Sequence, residues 1–125
     1  PYQEVAKRFL PKVRRPLPLE ADILYFLKIT RKKRLPYDHY MLQIHDTMKG
    51  DMNYQQQVAF TPVQFPPGST WMVYTDLVSH AALAGRYVME QTFYPPVENM
   101  YTPEHSPHAQ LQQLLRKPDA AAWVK

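Results

Sequence analysis

The chain has 125 residues, enough for one domain and too few for two, and its 45% hydrophobic and 13% aromatic content excludes a wholly disordered segment. It has no cysteine, which removes disulfides, thiolate metal sites and a cysteine nucleophile and fits a reducing compartment; no apolar run approaches the ~20 residues of a membrane-crossing helix, and the start shows no signal-peptide pattern. A net charge of +4 permits anionic partners without singling out nucleic acid.

Residues 2–10 read as a short amphipathic helix with Val5, Phe9 and Leu10 on its apolar side, ended by Pro11. Residues 12–18 form a basic, proline-rich connector. The clearest helical pattern spans residues 19–30, where Leu19, Ile23, Phe26 and Leu27 fall on one face and Pro18 sits at the first turn. Arg31, Lys32, Lys33 and Arg34 close it. Cations suit a helix C-terminus, and the same cluster can also bind an anion. Pro36 breaks the pattern, and Asp38 is a candidate N-cap for a helix over residues 39–49. Met41, Leu42, His45 and Met48 lie near one face of that helix, and Gly50 ends it. Residues 52–57 are polar and read as one more turn.

From residue 58 the period changes. Residues 58–65 alternate in the manner of a strand, with Pro62 marking an edge or a bulge. Pro66-Pro67-Gly68 is a turn, and residues 70–75 are β-branched and aromatic. Asp76 interrupts, His80 opens a second apolar segment, Ala84-Gly85 turns it, and residues 87–94 alternate again. Trp71, Val73, Tyr87 and Phe93 would need a second sheet to pack against. After Pro95-Pro96 the alternation is lost; Ser106-Pro107 starts a last helix through residue 116, docked by Leu111, Leu114 and Leu115, and residues 117–125 read as a frayed end. No internal repeat is present. The expected fold is α+β in a single unit: residues 1–57 mainly helical, 58–96 antiparallel strands, and 97–125 a tail with a short helix. Four strands do not close a barrel. With Pro rather than Met at position 1, the chain reads as a truncated part of a larger domain.

The candidate chemistry lies in the histidines. A mononuclear non-haem iron site uses two histidines and one carboxylate, with two of the ligands normally spaced His-x-Asp or His-x-Glu on one strand. His39, His45, His80, His105 and His108 all lack an acid two residues on. His39 and His45 are six apart, so the zinc spacing HExxH is absent too. The chain can therefore offer a third, distal ligand but not the pair. His80 is the candidate, against the plainer reading of a hydrogen-bonded neutral imidazole. Arg86 could grip a carboxylate with both guanidinium nitrogens. A two-residue turn at Ala84-Gly85 puts His80 on one face with Tyr87, Met89 and Gln91; a three-residue turn puts it with Arg86, Val88 and Glu90. Glu90, Gln91 and Thr92 sit among apolar neighbours, where a glutamate either finds a partner or points to solvent. His105 and His108 read as surface residues. There is no phosphate loop and no nucleophile-elbow motif.

The runs YDHYMLQIHDTMKGDMNYQ (37–55) and FPPGSTWMVYTDLVSHAALAGRYVMEQTFYPPVENM (65–100), with the opening YQEVAKRFLP, resemble the C-terminal part of the Kdo hydroxylase family over nearly all these residues. Members of that family are Fe(II)- and 2-oxoglutarate-dependent oxygenases that hydroxylate 3-deoxy-manno-octulosonic acid in lipopolysaccharide inner core or lipid A precursors. The resemblance implies part of a double-stranded β-helix, or jelly roll, behind N-terminal helices, as the C-terminal half of a larger domain. It implies His80 as the distal iron ligand and Arg86 or Gln91 as the residue holding the 2-oxoglutarate carboxylate. It also implies oxidative decarboxylation of 2-oxoglutarate coupled to hydroxylation of the sugar. No residue matches the family's His-x-Asp pair, so the isolated chain is expected to be inactive. Lys12, Arg14, Arg15 and residues 31–34 would then attract an anionic, Kdo-containing glycolipid. The expected setting is the cytoplasm, with peripheral contact at the inner membrane surface, no membrane crossing and no nucleic acid. The competing reading is a non-catalytic, basic polyanion-binding module, supported by the charge and the RKKR run but by no aromatic-lined nucleic-acid motif; an inactive remnant is a third.

Overall fold

Tyr2, Ala6, Phe9 and Leu10 recur at intervals of four, three and one, so a helix gathers them onto one stripe. The computed structural model describes residues 2–116. That stripe is the N-terminal wall of its apolar core, carried by α1 (Tyr2–Phe9) and a 3-10 turn at Leu10–Lys12 that absorbs Pro11. α2 (Glu20–Phe26), α3 (Pro36–Gly50) and α4 (Met52–Gln57) follow, and α5 (Pro107–Leu115) closes the described chain. Tyr2, Ala6, Phe9, Leu10 and Val13 pack with Tyr40 and Ile44 of α3 and with Leu111 and Leu114 of α5. α1 lies against both α3 and α5. Tyr54 of α4 meets Phe9 edge to face, with ring centroids 5.1 Å apart.

The helix ends follow from local chemistry. In α5, Pro107 occupies the first turn and the fully buried Ser106 caps it, its Oγ accepting the Ala109 N–H at 3.1 Å. In α3, Pro36 takes the first position, and Asp38 accepts the Leu35 N–H at 3.1 Å from inside the first turn. Asp51 caps α4 by accepting from Tyr54 N and also receives Lys12 at 3.2 Å. α2 ends with Lys28 in the left-handed region, φ 56°. There Lys28 N–H bonds to Tyr25 O and Ile29 N–H to Leu24 O, the Schellman pattern that glycine usually serves.

The connector between α1 and α2 is held by a bracket. The Gln43 amide accepts Arg14 N–H and donates to Arg14 O, both at 3.3 Å, and His39 Nε2 reaches the same carbonyl at 3.2 Å. Arg14 then grips Glu20 with both terminal nitrogens, at 2.8 and 2.5 Å, while Leu17 N–H donates to the same carboxylate. These contacts hold the Glu20 carboxyl down to about 2, the guanidinium being the larger cause.

Several expectations are corrected. Among the described residues there is no β-strand, so the α+β reading and the partial double-stranded β-helix, or jelly roll, are not the fold. Residues 58–96 run as irregular, largely exposed chain. A strand is stabilised by ladder partners and by cross-strand side-chain pairs. Here Met72, Tyr87 and Met89 are 97–99% exposed, so the alternating residues bury neither face. Pro62, Pro66, Pro67, Pro95 and Pro96 withdraw five ladder donors from the stretch. α2 is shorter than the predicted 19–30, and its apolar face is not docked: Leu19, Ile23, Phe26 and Leu27 are all exposed. On α3 the inward residues are Tyr40 and Ile44, with Met41 and Met48 partly buried, while Leu42 and His45 face outward. The expected frayed end at 117–125 lies outside the described residues.

Candidate functional site

Among the described residues, the long irregular segment meets the helical core around Leu77. Leu77 packs against the core, its carbonyl accepting Tyr2 N–H at 3.2 Å, and its own N–H bonds back to Tyr74 O at 3.0 Å. Next to it, the Tyr37 hydroxyl of α3 donates to Asp76 Oδ2 at 2.7 Å. Burial and then the Asp76 carboxylate push the Tyr37 phenol well above its ordinary range, so it stays a donor. The Tyr2 phenol is raised by the same two causes. Its hydroxyl is buried and has no hydrogen-bond partner among the described residues. The His108 ring lies 5.5 Å from that of Tyr37. The turn at residues 74–77 is thus clamped between the first residue of α1 and the first turn of α3.

Asp76 also forms one edge of an open groove of about 580 Å³. Arg31, Lys32 and Arg34 line it on the side of the basic run; Tyr37, Met41 and Leu42 come from α3; and Tyr94 closes it. The Lys32 ammonium sits 5.9 Å over the Tyr94 ring. Both ends of the stretch 76–94 therefore border the same cationic groove. The acid groups nearby are engaged: Asp38 with Leu35 N–H and Asp76 with Tyr37. The groove thus sets three cations, Arg31, Lys32 and Arg34, against the two hydrogen-bonded carboxylates of Asp38 and Asp76, beside apolar surface from Met41 and Leu42.

The residues singled out in the sequence lie between those two ends. His80 is exposed, and its Nδ1 is 3.0 Å from Val78 O. With the Nδ1 proton donated to that carbonyl, the Nε2 lone pair is the open one, the tautomer that suits a metal-ligating imidazole. Arg86 and Gln91 are exposed on the same stretch, beyond Gly85. Among the described residues, no three His, Cys, Asp or Glu side chains come together to hold a metal ion. By themselves the described residues therefore do not bring together a complete iron site. His39 is committed to Arg14 O and Gln43, and His45 to Asp46.

Sequence reasoning missed the Tyr37–Asp76 pair and the part played by Tyr94. Asp76 stood out as a polar residue ending an apolar run. Its partner is 39 residues away, and nothing local points to it.

Among the described residues no helix is long and apolar enough to cross a membrane. Comparison with curated proteins and with solved structures gives no match. The model of the 3-deoxy-D-manno-oct-2-ulosonic acid (Kdo) hydroxylase family matches residues 1–118, nearly the whole chain. The clamp, the cationic groove and the His80 stretch all fall inside that match, and the chain belongs to the Kdo hydroxylase family.

Proposed function

We propose that the chain is the C-terminal part of an Fe(II)- and 2-oxoglutarate-dependent enzyme that hydroxylates the Kdo sugar of lipopolysaccharide or lipid A precursors, working in the cytoplasm at the inner membrane surface. The observation that carries this reading is the match to the hydroxylase family over residues 1–118, within which the stretch bearing His80 begins and ends on a cationic groove. Iron would supply the oxidising chemistry. In this chain His80 would offer one ligand through Nε2, and the remaining ligands would come from another part of the enzyme. Arg86 is suited to pair with a cosubstrate carboxylate and Gln91 to hydrogen-bond it. Arg31, Lys32 and Arg34 would hold the acidic groups of the glycolipid, whose Kdo carboxylate and phosphates are complementary to them. The Asp76–Tyr37 clamp would fix one end of the His80 stretch against the helices.

The test uses the full-length protein and its His80→Ala variant. Bound iron and hydroxylated glycolipid are measured together, with circular dichroism as the check on folding. The proposal predicts a loss of at least about tenfold in metal affinity and of hydroxylated product, at unchanged helix content. Full turnover by the variant would overturn the ligand role. The basic groove also favours a second reading, a non-catalytic polyanion-binding module. Wild-type protein that binds glycolipid but never oxidises it, with iron and 2-oxoglutarate supplied, would decide for that reading.

A further inference from the structure

The least expected feature of the molecule is α2. Its apolar residues are not spent on the core: Ile23 is 55% exposed, Phe26 83%, Leu27 58% and the following Ile29 66%. Water-facing apolar residues concentrated on one short element mark a contact surface. The charges around them are one-sided. Glu20 and Asp22, the acids of α2, are paired with Arg14 and Lys33. Lys28, Arg31, Lys32 and Arg34 form no ion pair among the described residues, and the Lys32 ammonium lies over the Tyr94 ring. The result is an apolar wedge with a rim of cations that form no ion pair among the described residues.

We infer that α2 and the basic run after it form a membrane-docking surface, seating Phe26, Leu27 and Ile29 in the headgroup region of an anionic bilayer while Lys28, Arg31, Lys32 and Arg34 meet its negative charge. A protein partner for the apolar face would not by itself call for the cationic rim; an anionic lipid surface calls for both. The Schellman turn at Lys28 ends α2 and passes the chain directly into the basic run, so the apolar residues and the cations are adjacent along the chain. Arg31, Lys32 and Arg34 also line the groove beside the His80 stretch, so docking would bring that groove to the lipid headgroups. This deepens the glycolipid reading and rests on it for its purpose, but its test requires neither iron nor turnover.

The experiment is co-sedimentation of the full-length protein with vesicles of phosphatidylcholine alone or with added phosphatidylglycerol, paired with hydrogen exchange over residues 19–30. Binding is expected only to the anionic vesicles, weakening with salt. Replacing Arg31, Lys32 and Arg34 by alanine should weaken it roughly fivefold per cation and roughly a hundredfold together. Phe26→Ser with Leu27→Ser should abolish the salt-resistant part, and exchange over residues 19–30 should slow when vesicles are added. Equal binding by the serine variant, or equal binding to phosphatidylcholine alone, would overturn the inference. Hydroxylation of detergent-dispersed glycolipid is scored separately, so failure to dock and failure of the hydroxylase reading are distinguishable.

Discussion

Leu111→Ala sets the core of α1, α3 and α5 against the periodicity that drew attention to α2. The Leu111 side chain is 2% exposed and belongs to an apolar cluster that, among the described residues, has nine buried members. Removing it loses the transfer free energy of its methyl and methylene groups and leaves a cavity, together about 2–5 kcal/mol for a buried leucine. So small a cluster has few side chains able to close the void, so we take about 3 kcal/mol, a large part of the ~5–15 kcal/mol that stabilises a typical domain. The control is Phe26→Ala on α2. That ring is 83% exposed, so truncating it should change stability by no more than about 0.5 kcal/mol. Urea unfolding followed by far-ultraviolet circular dichroism gives both values on the same scale. A Leu111→Ala cost below about 1 kcal/mol, or a Phe26→Ala cost equal to it, would refute the three-helix core and restore α2 as a buried element.

Ser106→Ala should cost about 1 kcal/mol, because it removes the cap and leaves the Ala109 N–H without its acceptor; faster amide exchange at Ala109 is the direct check. Lys28→Gly should stabilise by up to about 1 kcal/mol, since the left-handed turn there disfavours a side chain; a thermal scan reads it, and a loss would contradict the assigned backbone. Tyr37→Phe removes the hydroxyl held by Asp76 and should release the turn at 74–77, seen as faster exchange at Tyr2 and Leu77 with little change in global stability. The carboxyl of Glu20 is held below its unfolded value of 4.5, so its stabilising effect is complete above that pH and fades as pH falls toward about 2; Glu20→Gln should flatten acid unfolding across that window.

What could be read in advance depended on how local the cause was. α5 was legible because its cap, first-turn proline and docking leucines lie within ten residues: Ser106, Pro107, Leu111, Leu114 and Leu115. α1 was legible for the same reason, although Ala6 and Tyr2, rather than Val5, complete its buried stripe. α2 had the clearest pattern and the least burial, because periodicity reports that a face is apolar, not that something covers it. On α3, Leu42 and His45 lost their inward place to Tyr40 and Ile44 because the facing residues of α1 and α5 select the stripe, and that selection is not local. The alternation in 58–96 suggested strands, but a strand is made by its neighbour, and the chain's own pattern cannot supply one. The clamp between Tyr37 and Asp76 bridges 39 residues and carries no sequence mark.

The most direct test of the functional account is mass spectrometry of the glycolipid after incubation with the full-length protein, Fe(II) and 2-oxoglutarate under isotopically heavy dioxygen. The account predicts one heavy oxygen atom on a Kdo unit, matched by succinate formation and lost when His80 is replaced by alanine. A glycolipid recovered unchanged, from protein that is folded and loaded with iron, would contradict it.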